Sequence, residues 1–414
     1  MKWIYSFFAF VLLMTACNTA STSSSEAAEE YEVFCLLLEE AINDKNSDFV
    51  DTVYDFDHLV AHVTDGIDAP EYYEEGFKEG FRKSYTPGLI LLSTMGETGY
   101  YKFLRMKSVD PPVGLFRLVS EQGVNYHEIH MNKKEDGEIM IEDFYSYLEA
   151  ELFSQGIKRL YIINLSQEVK DFSHPIADAL PIINDIAMLA DGGKPDEAFT
   201  KLRKLPKSVL EQKIVMLILL SLGQDLGKDS LAVAEQTFRN IYPNDPLVDL
   251  KLMEFGFKNG DTTKILQSIN KIQANIGEDH YLQMLKATVL KNMDKLPEAK
   301  SLLFAALESE PENDEYYWVL LDLLITNKEY DTAIVWFQKL YNQFEENPAD
   351  YLIYDGYKDF YASAPYKDWI AKYPLRANPN LEIDSLLKEM EKLQQQQQHH
   401  QHDGHDHSGH GHAH

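Results

Sequence analysis

Residues 280–347 read HYLQMLKATVLKNMDKLPEAKSLLFAALESEPEN and then DEYYWVLLDLLITNKEYDTAIVWFQKLYNQFEEN, two consecutive segments of 34 residues each. When the segments are aligned, alanine occupies the twentieth position of both, as Ala299 and Ala333, and apolar residues recur at the twenty-fourth and twenty-seventh. A fixed period of this length indicates a repeated supersecondary unit. The apolar spacing inside each half is that of an amphipathic helix. The stretch therefore predicts helix pairs in tandem.

These positions resemble the tetratricopeptide repeat. Small residues at the eighth and twentieth positions, Ala287 and Ala299, allow the two helices of a repeat to approach closely. Pro311 follows the second helix because proline cannot continue it. Three weaker copies precede this segment, and an irregular helical bundle is the alternative to a repeat array. The weaker copies are 179–211, with Pro195-Asp196-Glu197-Ala198, 212–245, and 246–279, in which Ile265 stands where alanine is expected.

The repeat array with its capping helices is predicted to cover 179–375. Residues 348–361 and 366–373 have the pattern of a terminal helix pair, which repeat arrays need to cover the last apolar face. A further helix is predicted at 380–393, followed by a Gln/His-rich disordered tail at 394–414, which lacks the apolar residues needed to fold.

Residues 29–175 predict an α+β domain. Helical periodicity covers three stretches, and the apolar period changes to two near Thr98. Four strand-like runs follow, and Asp136-Gly137 between the last two is a strong hairpin signal. The order of elements resembles the cystatin-like cone, in which a curved sheet wraps around a long helix. The helical stretches are 29–45, 48–63 and 70–85, the strand-like runs are 99–109, 114–120, 123–132 and 138–148, and a last helix covers about 149–165.

Residues 1–16 predict a signal peptide. The apolar run 4–13 is far shorter than the roughly 20 residues that span a bilayer. It leads into Met14-Thr15-Ala16-Cys17, which resembles the lipobox of bacterial lipoproteins, and this resemblance implies that Cys17 receives the lipid. A plain secretory signal with an incidental cysteine is the alternative. Residues 17–28, rich in Ser, Thr and Ala, then form a flexible tether.

The predicted location is the outer membrane, with the protein facing the periplasm or the cell surface. Asn18 follows the lipobox where an aspartate would signal retention in the inner membrane. The formal net charge of −29 repels phosphate backbones, so a nucleic-acid partner is not expected. The same charge disfavours docking onto anionic lipid. Membrane contact is therefore expected through the lipid anchor only.

The resemblance to the tetratricopeptide repeat implies a partner groove that is lined chiefly by the first helix of each pair. Lys291 is the one basic residue in this set, so a clamp for acidic peptide tails is not expected. An apolar or basic segment of another envelope protein suits the groove better. The alternative is that these residues pack against a neighbouring domain. The groove residues are Leu250, Phe257, Tyr281, Met284, Lys291, Trp318 and Asp322.

The C-terminal tail has the most unusual chemistry. Eight of its last sixteen residues are histidine, and neutral imidazole is a common ligand for zinc, nickel and copper. A native metal-handling tail, adventitious metal binding and an affinity tag all fit this composition. No cofactor is otherwise expected. The histidines are His399, His400, His402, His405, His407, His410, His412 and His414.

Two further sets of polar residues are candidate sites. His58 and His62 are four apart on a predicted helix, but Leu59 stands where a zinc protease needs glutamate. The second set consists of polar residues in the strands. These residues could line a small-molecule pocket or form solvated cross-strand pairs. Since no catalytic constellation is present, we expect a protein that is not an enzyme. The strand residues are Tyr126, Glu128 and His130 on one face, His127 on the other, and Asp143, Tyr145 and Tyr147 on the neighbouring strand.

Overall fold

The computed structural model describes residues 28–243, 245–344 and 355–372. The chain divides into two compact units, of which the first ends at Asp279 and the second begins at His280. The predicted fold class is confirmed: helices and an antiparallel sheet come first, and a series of paired helices follows, as the repeats predict. The resemblance of the first part to a cystatin-like cone stays a prediction.

Five helices begin the first unit, two more than the periodicity indicates. The predicted helix at 48–63 is interrupted at Tyr54, where Ile141 N donates to Val53 O at 2.7 Å and Asp55 N donates to Ile141 O at 2.8 Å. The other additional helix begins at Pro87, whose fixed φ suits a first helical turn. The helices are α1 (28–43), α2 (Ser47–Thr52), α3 (Phe56–Thr64), α4 (Glu71–Ser84) and α5 (Pro87–Met95).

A five-stranded antiparallel sheet follows, and its strands pair in chain order. The hairpin predicted at Asp136-Gly137 joins the third and fourth strands, with Gly137 at a φ of 92°, which glycine adopts without strain. The fifth strand has only two residues, too few to leave a periodic signal. The strands are β1 (Tyr100–Val109), β2 (Pro112–Ser120), β3 (Gly123–Lys133), β4 (Ile139–Ser146) and β5 (Glu151–Leu152).

One face of the sheet packs in a hydrophobic cluster with α1, α3 and α6, where α6 is Phe153–Glu168. Cys35 of α1 is fully buried in this cluster. Burial raises the pKa of its thiol to about 12, so the thiol stays protonated and unreactive near neutral pH. A Cβ on Gly114 of β2 would lie 2.8 Å from Cys35 Sγ, so glycine there allows α1 to approach the sheet closely.

Three helix pairs complete the first unit. Small residues lie where the helices of a pair meet, and Ala198 and Ala234 are fully buried. Ile265 stands where the repeat pattern expects alanine, and a Cβ on Gly256 of the facing helix would lie 2.6 Å from its Cγ1. Glycine therefore provides the space that the larger residue needs. The pairs are α7 (Pro175–Asp191) with α8 (Pro195–Leu202), α10 (Lys213–Leu226) with α11 (Lys228–Ile241), and α12 (Leu247–Asn259) with α13 (Thr262–Ile276), and α9 is Lys207–Leu210.

The predicted domain boundary near residue 175 stays a prediction. The division of the chain by its contacts falls later, after Asp279. Ala150 and Tyr145 of the α+β part belong to the same hydrophobic cluster as the first helix pairs. The α+β part, which has its own cluster, therefore also contributes residues to the core of these pairs.

The second unit repeats the same geometry. Ala299 and Ala333 are both fully buried, and Asp294 and Lys328, at the fifteenth position of their segments, both have a φ of 58°. The end of the array is covered, since the Trp369 ring lies 5.0 Å from that of Phe337. The predicted helix at 380–393 lies outside the described residues. The helices are α14 (His280–Asn292), α15 (Leu296–Ser309), α16 (Asp314–Thr326), α17 (Tyr330–Gln343), α18 (Lys358–Ala362) and α19 (Ala364–Lys372).

Candidate functional site

The predicted groove residues of the second unit lie on α14 and α16. Tyr281 and Met284 are buried, with 6% and 2% of their surfaces exposed, whereas Trp318 is half-buried. Lys291 forms an ion pair with Asp322, which links the first helices of two successive repeats. The ammonium that could have held an acidic peptide is therefore engaged within the groove.

The two groove residues of the first unit lie on α12 and differ in exposure. Leu250 is buried, and 39% of Phe257 is exposed. An exposed aromatic ring is an amphipathic contact surface that binding sites favour. Phe257 is thus the groove residue of this unit that a partner could contact without rearrangement.

A cleft of about 960 Å³ opens in the first unit between the sheet, α6 and the segment around Asp245. Among the predicted strand residues, the structure brings Glu128 and Tyr147 together on its sheet wall. Tyr147 donates to Glu128 Oε1 at 2.5 Å, and Lys107 Nζ lies 2.6 Å from the same oxygen. His130 also lines the cleft, and its buried Nε2 has no hydrogen-bond partner within the described part of the chain.

The opposite wall of the cleft is built around Lys213. Its Nζ lies 2.7 Å from Asp245 Oδ2 and donates to Tyr145 OH at 3.1 Å, with the rings of Tyr145 and Tyr242 at 5.2 and 5.1 Å. Burial, and then the nearby carboxylate of Asp245, raise the pKa of Tyr145. The tyrosine hydroxyl therefore remains a protonated donor. The positive charge of Lys213 and the negative charge of Asp245 compensate one another.

His127 lies on the other face of the sheet, as the strand alternation predicts. Tyr101 OH lies 3.1 Å from its Nδ1, and Asn125 Nδ2 lies 3.1 Å from its Nε2. Because the amide nitrogen can only donate, Nε2 is the acceptor and the proton resides on Nδ1. Burial lowers the pKa of His127 to about 4, so the ring is neutral near pH 7.

Asp143 has a structural role at the start of α6. It is buried, and its Oδ1 accepts hydrogen bonds from Ser154 N at 3.1 Å and Phe144 N at 2.9 Å. A carboxylate that accepts from the first turn of a helix caps it. Asp143 therefore positions α6, and its strand neighbours Tyr145 and Tyr147 line the cleft.

A buried ionic contact joins the sheet to the residues after α13. Arg117 Nη1 of β2 pairs with Asp279 Oδ1, both side chains are inaccessible to solvent, and Tyr126 OH of β3 donates to Asp279 Oδ2 at 2.5 Å. Arg105 of β1 donates to the carbonyl of Glu278 at 3.0 Å. We call Arg105, Arg117, Tyr126 and Asp279 the clamp.

Sequence reasoning did not identify the clamp, although one signal was present. Arg117 interrupts the apolar run Leu115-Phe116-Arg117-Leu118-Val119, and nearly all of β2 is buried. An arginine inside such a run needs a buried carboxylate partner. The partner lies 162 residues away, which no local pattern can reveal.

The remaining predicted sites are the histidine pair of α3, the lipidation cysteine and the histidine-rich tail. The rings of His58 and His62 lie 4.3 Å apart, and across the described residues no three His, Cys, Asp or Glu side chains group to hold a metal. The lipidation residue Cys17 and the tail His399–His414 lie outside the described residues. No helix in the described ranges is long and apolar enough to cross a bilayer.

Comparison with known proteins finds only weak structural similarity for this chain. A scan against protein-family models and a search of curated proteins both return no match. Among solved structures, the chain is similar to a MamA RS-1 ArsTM double mutant at 16% identity, over 38% of this chain and 90% of that one, with a TM-score of 0.30. It is also similar to PilW, a widely conserved type IV pilus biogenesis factor, at 15% identity over 50% and 96%, with a TM-score of 0.33. These TM-scores are too low to support an inference about function.

Proposed function

We propose that this chain is a lipid-anchored envelope protein that acts as an interaction scaffold, with its helical repeats binding a segment of another envelope protein. The observation that supports the proposal is the series of helix pairs from α7 to α17. Within each of the two units, packed helix pairs of this type present a binding surface. The role that we infer is binding, without catalysis.

The partner segment is expected to be apolar or basic. Phe257 offers an exposed ring, and Lys291 is already paired with Asp322, so an acidic segment would find little to hold it. The net charge of −29 attracts a basic segment at long range. We therefore expect partner association to slow as the salt concentration rises.

Site-specific photo-crosslinking in cells tests the groove. A photo-reactive phenylalanine analogue at Phe257 should give a discrete adduct with one envelope protein. The same analogue at Phe304 of α15 is the matched control, because 40% of Phe304 is exposed, against 39% of Phe257, and it lies on the second helix of its pair. Equal adduct patterns at the two positions would argue against a groove on the first helices.

The anchor is tested by Cys17→Ser. If Cys17 carries the lipid, the variant should lose lipid labelling and remain unprocessed. Acyl chains contribute ~0.8 kcal/mol per buried methylene to membrane association, so removing them abolishes stable attachment to the outer membrane. Fractionation with metabolic lipid labelling measures both effects. Normal labelling of Cys17→Ser would refute the anchor and leave the scaffold proposal intact.

Metal buffering or delivery by the tail is the second candidate function, and the density of histidines in 399–414 favours it. Truncation after Leu393 should remove most binding of Zn²⁺, Ni²⁺ or Cu²⁺ while the fold melts as before. Binding by the full chain should weaken below about pH 6.5, because protonated imidazole cannot bind a metal. Calorimetric titration of both forms checks this. Full stoichiometry in the truncated chain would place the metal elsewhere.

A further inference from the structure

A second, smaller pocket lies in the α+β part, on the His127 side of the sheet. It has a volume of about 330 Å³ and lies between α5, α6 and the strands β3 and β4. Small-molecule sites begin at about this size and are mostly apolar with a few polar groups. Two apolar side chains stand at its mouth in contact with water, Ile90 with 44% and Leu160 with 54% exposed. The apolar walls are formed by Ile90, Leu91, Phe144, Phe153, Ile157 and Leu160.

The pocket floor is polar and almost fully hydrogen-bonded. Asn125 uses both amide hydrogens, on His127 Nε2 and on Ser146 Oγ, each at 3.1 Å, and its Oδ1 accepts from Leu148 N at 3.0 Å. His127 uses its remaining nitrogen on Tyr101. Ser146 accepts from Asn125, but no hydrogen bond among the described residues uses its hydroxyl hydrogen. The floor therefore has one donor to offer.

Charge excludes an anionic ligand from this pocket. Arg159 is the one cation among its lining residues, and Glu151 already holds it through two hydrogen bonds of 2.7 and 2.8 Å. Burial raises the pKa of the Glu149 carboxyl, and Lys251 nearby offsets its charge, so a cationic ligand gains little there either. His127 contributes no positive charge near neutral pH, because burial lowers its pKa to about 4. A carboxylate or phosphate would therefore be repelled by the carboxylates of the pocket, and it would find no cation among the lining residues that is not already paired.

We propose that this pocket binds a small uncharged molecule, with an apolar body against α5 and α6 and one carbonyl or ether oxygen that accepts a hydrogen bond from Ser146. The bound molecule would displace water from the apolar walls and satisfy the spare donor. This function goes beyond the scaffold role and does not depend on the repeats.

Binding of Prodan, a neutral naphthalene ketone whose fluorescence reports polarity, tests the proposal on the purified chain. We expect saturable binding at one site with blue-shifted emission, and about ten-fold weaker binding for Leu160→Asp, because a charge at the mouth must be desolvated. Leu89→Asp is the matched control, since Leu89 is also 54% exposed but lies outside the pocket. Equal affinities of the two variants, or no saturable binding, would overturn the proposal.

The hydrogen bond is tested by Ser146→Ala. This change should weaken Prodan binding about three- to ten-fold, the effect of one lost hydrogen bond. Binding of N-phenylnaphthylamine, which has no carbonyl, should not change. Equal weakening of both probes would show that Ser146 acts on the pocket's structure and not on the ligand oxygen. Displacement of Prodan by decanoate at lower concentration than by a neutral ketone would overturn the uncharged ligand class.

Discussion

Asp279→Ala should lower the free energy of unfolding of the first unit by about 3–5 kcal/mol, the usual result of removing one partner from a buried ion pair. Arg117 and Asp279 are both inaccessible to solvent, so the variant would leave a guanidinium buried without its carboxylate. Tyr126 would lose its acceptor as well. Urea denaturation followed by far-ultraviolet circular dichroism measures the loss, and hydrogen exchange locates it in the sheet and α13.

Two controls separate the clamp from a general loss of charge. Asp57→Ala removes an ion pair with Arg82 whose partners are 81% and 61% exposed, and such surface pairs contribute about 0–1 kcal/mol. The double variant Arg117→Met with Asp279→Leu removes both buried charges and should regain much of the lost stability, because apolar residues can replace a buried pair. If Asp279→Ala unfolds at the same urea concentration as Asp57→Ala, the clamp does not stabilise the unit.

Local periodicity in the sequence predicted the repeats because their stabilising contacts recur at short spacing. Ala198, Ala299 and Ala333 are each fully buried at the position that the repeat pattern assigns to small residues. The exception is Ile265, where the expected alanine is missing. Its compensation, Gly256 on the facing helix, can be recognised only when the two helices are seen together.

The features that sequence reasoning missed depend on contacts between distant residues. The helix break at Tyr54 exists because Ile141, some ninety positions later, offers a pair of backbone hydrogen bonds. The clamp joins β2 to Asp279 in the same way. A single sequence carries no record of which distant residues meet, so burial of Arg117 was foreseeable and its partner was not.

The sequence predicted which residues share a face of β3, but it did not predict the pocket on the His127 side. Strand alternation correctly separated His127 from Glu128, so the two polar faces of β3 were foreseeable. The apolar walls were not, because α5 was not predicted and it supplies Ile90 and Leu91. A ligand site needs both polar groups and apolar walls. The walls come from elements that are adjacent only in the folded chain.

Ala299→Leu should lower the free energy of unfolding of the second unit by about 3 kcal/mol, the upper part of the range for overpacked cores. Ala299 is fully buried at the twentieth position of its repeat, where α14 and α15 pack together, and Ala287 on α14 is also fully buried. Leucine would force the two backbones apart.

The matched control for Ala299→Leu is Ala305→Leu, the same substitution on the same helix at an exposed position, where leucine is nearly as good a helix former as alanine. Urea denaturation followed by the fluorescence of Trp318 and Trp336 reports on this unit. We expect Ala305→Leu to unfold like the parent chain and Ala299→Leu to unfold at clearly lower urea. Coincident curves for the two variants would mean that the twentieth position is not a close helix crossing, and the 34-residue register on which the partner groove depends would be wrong.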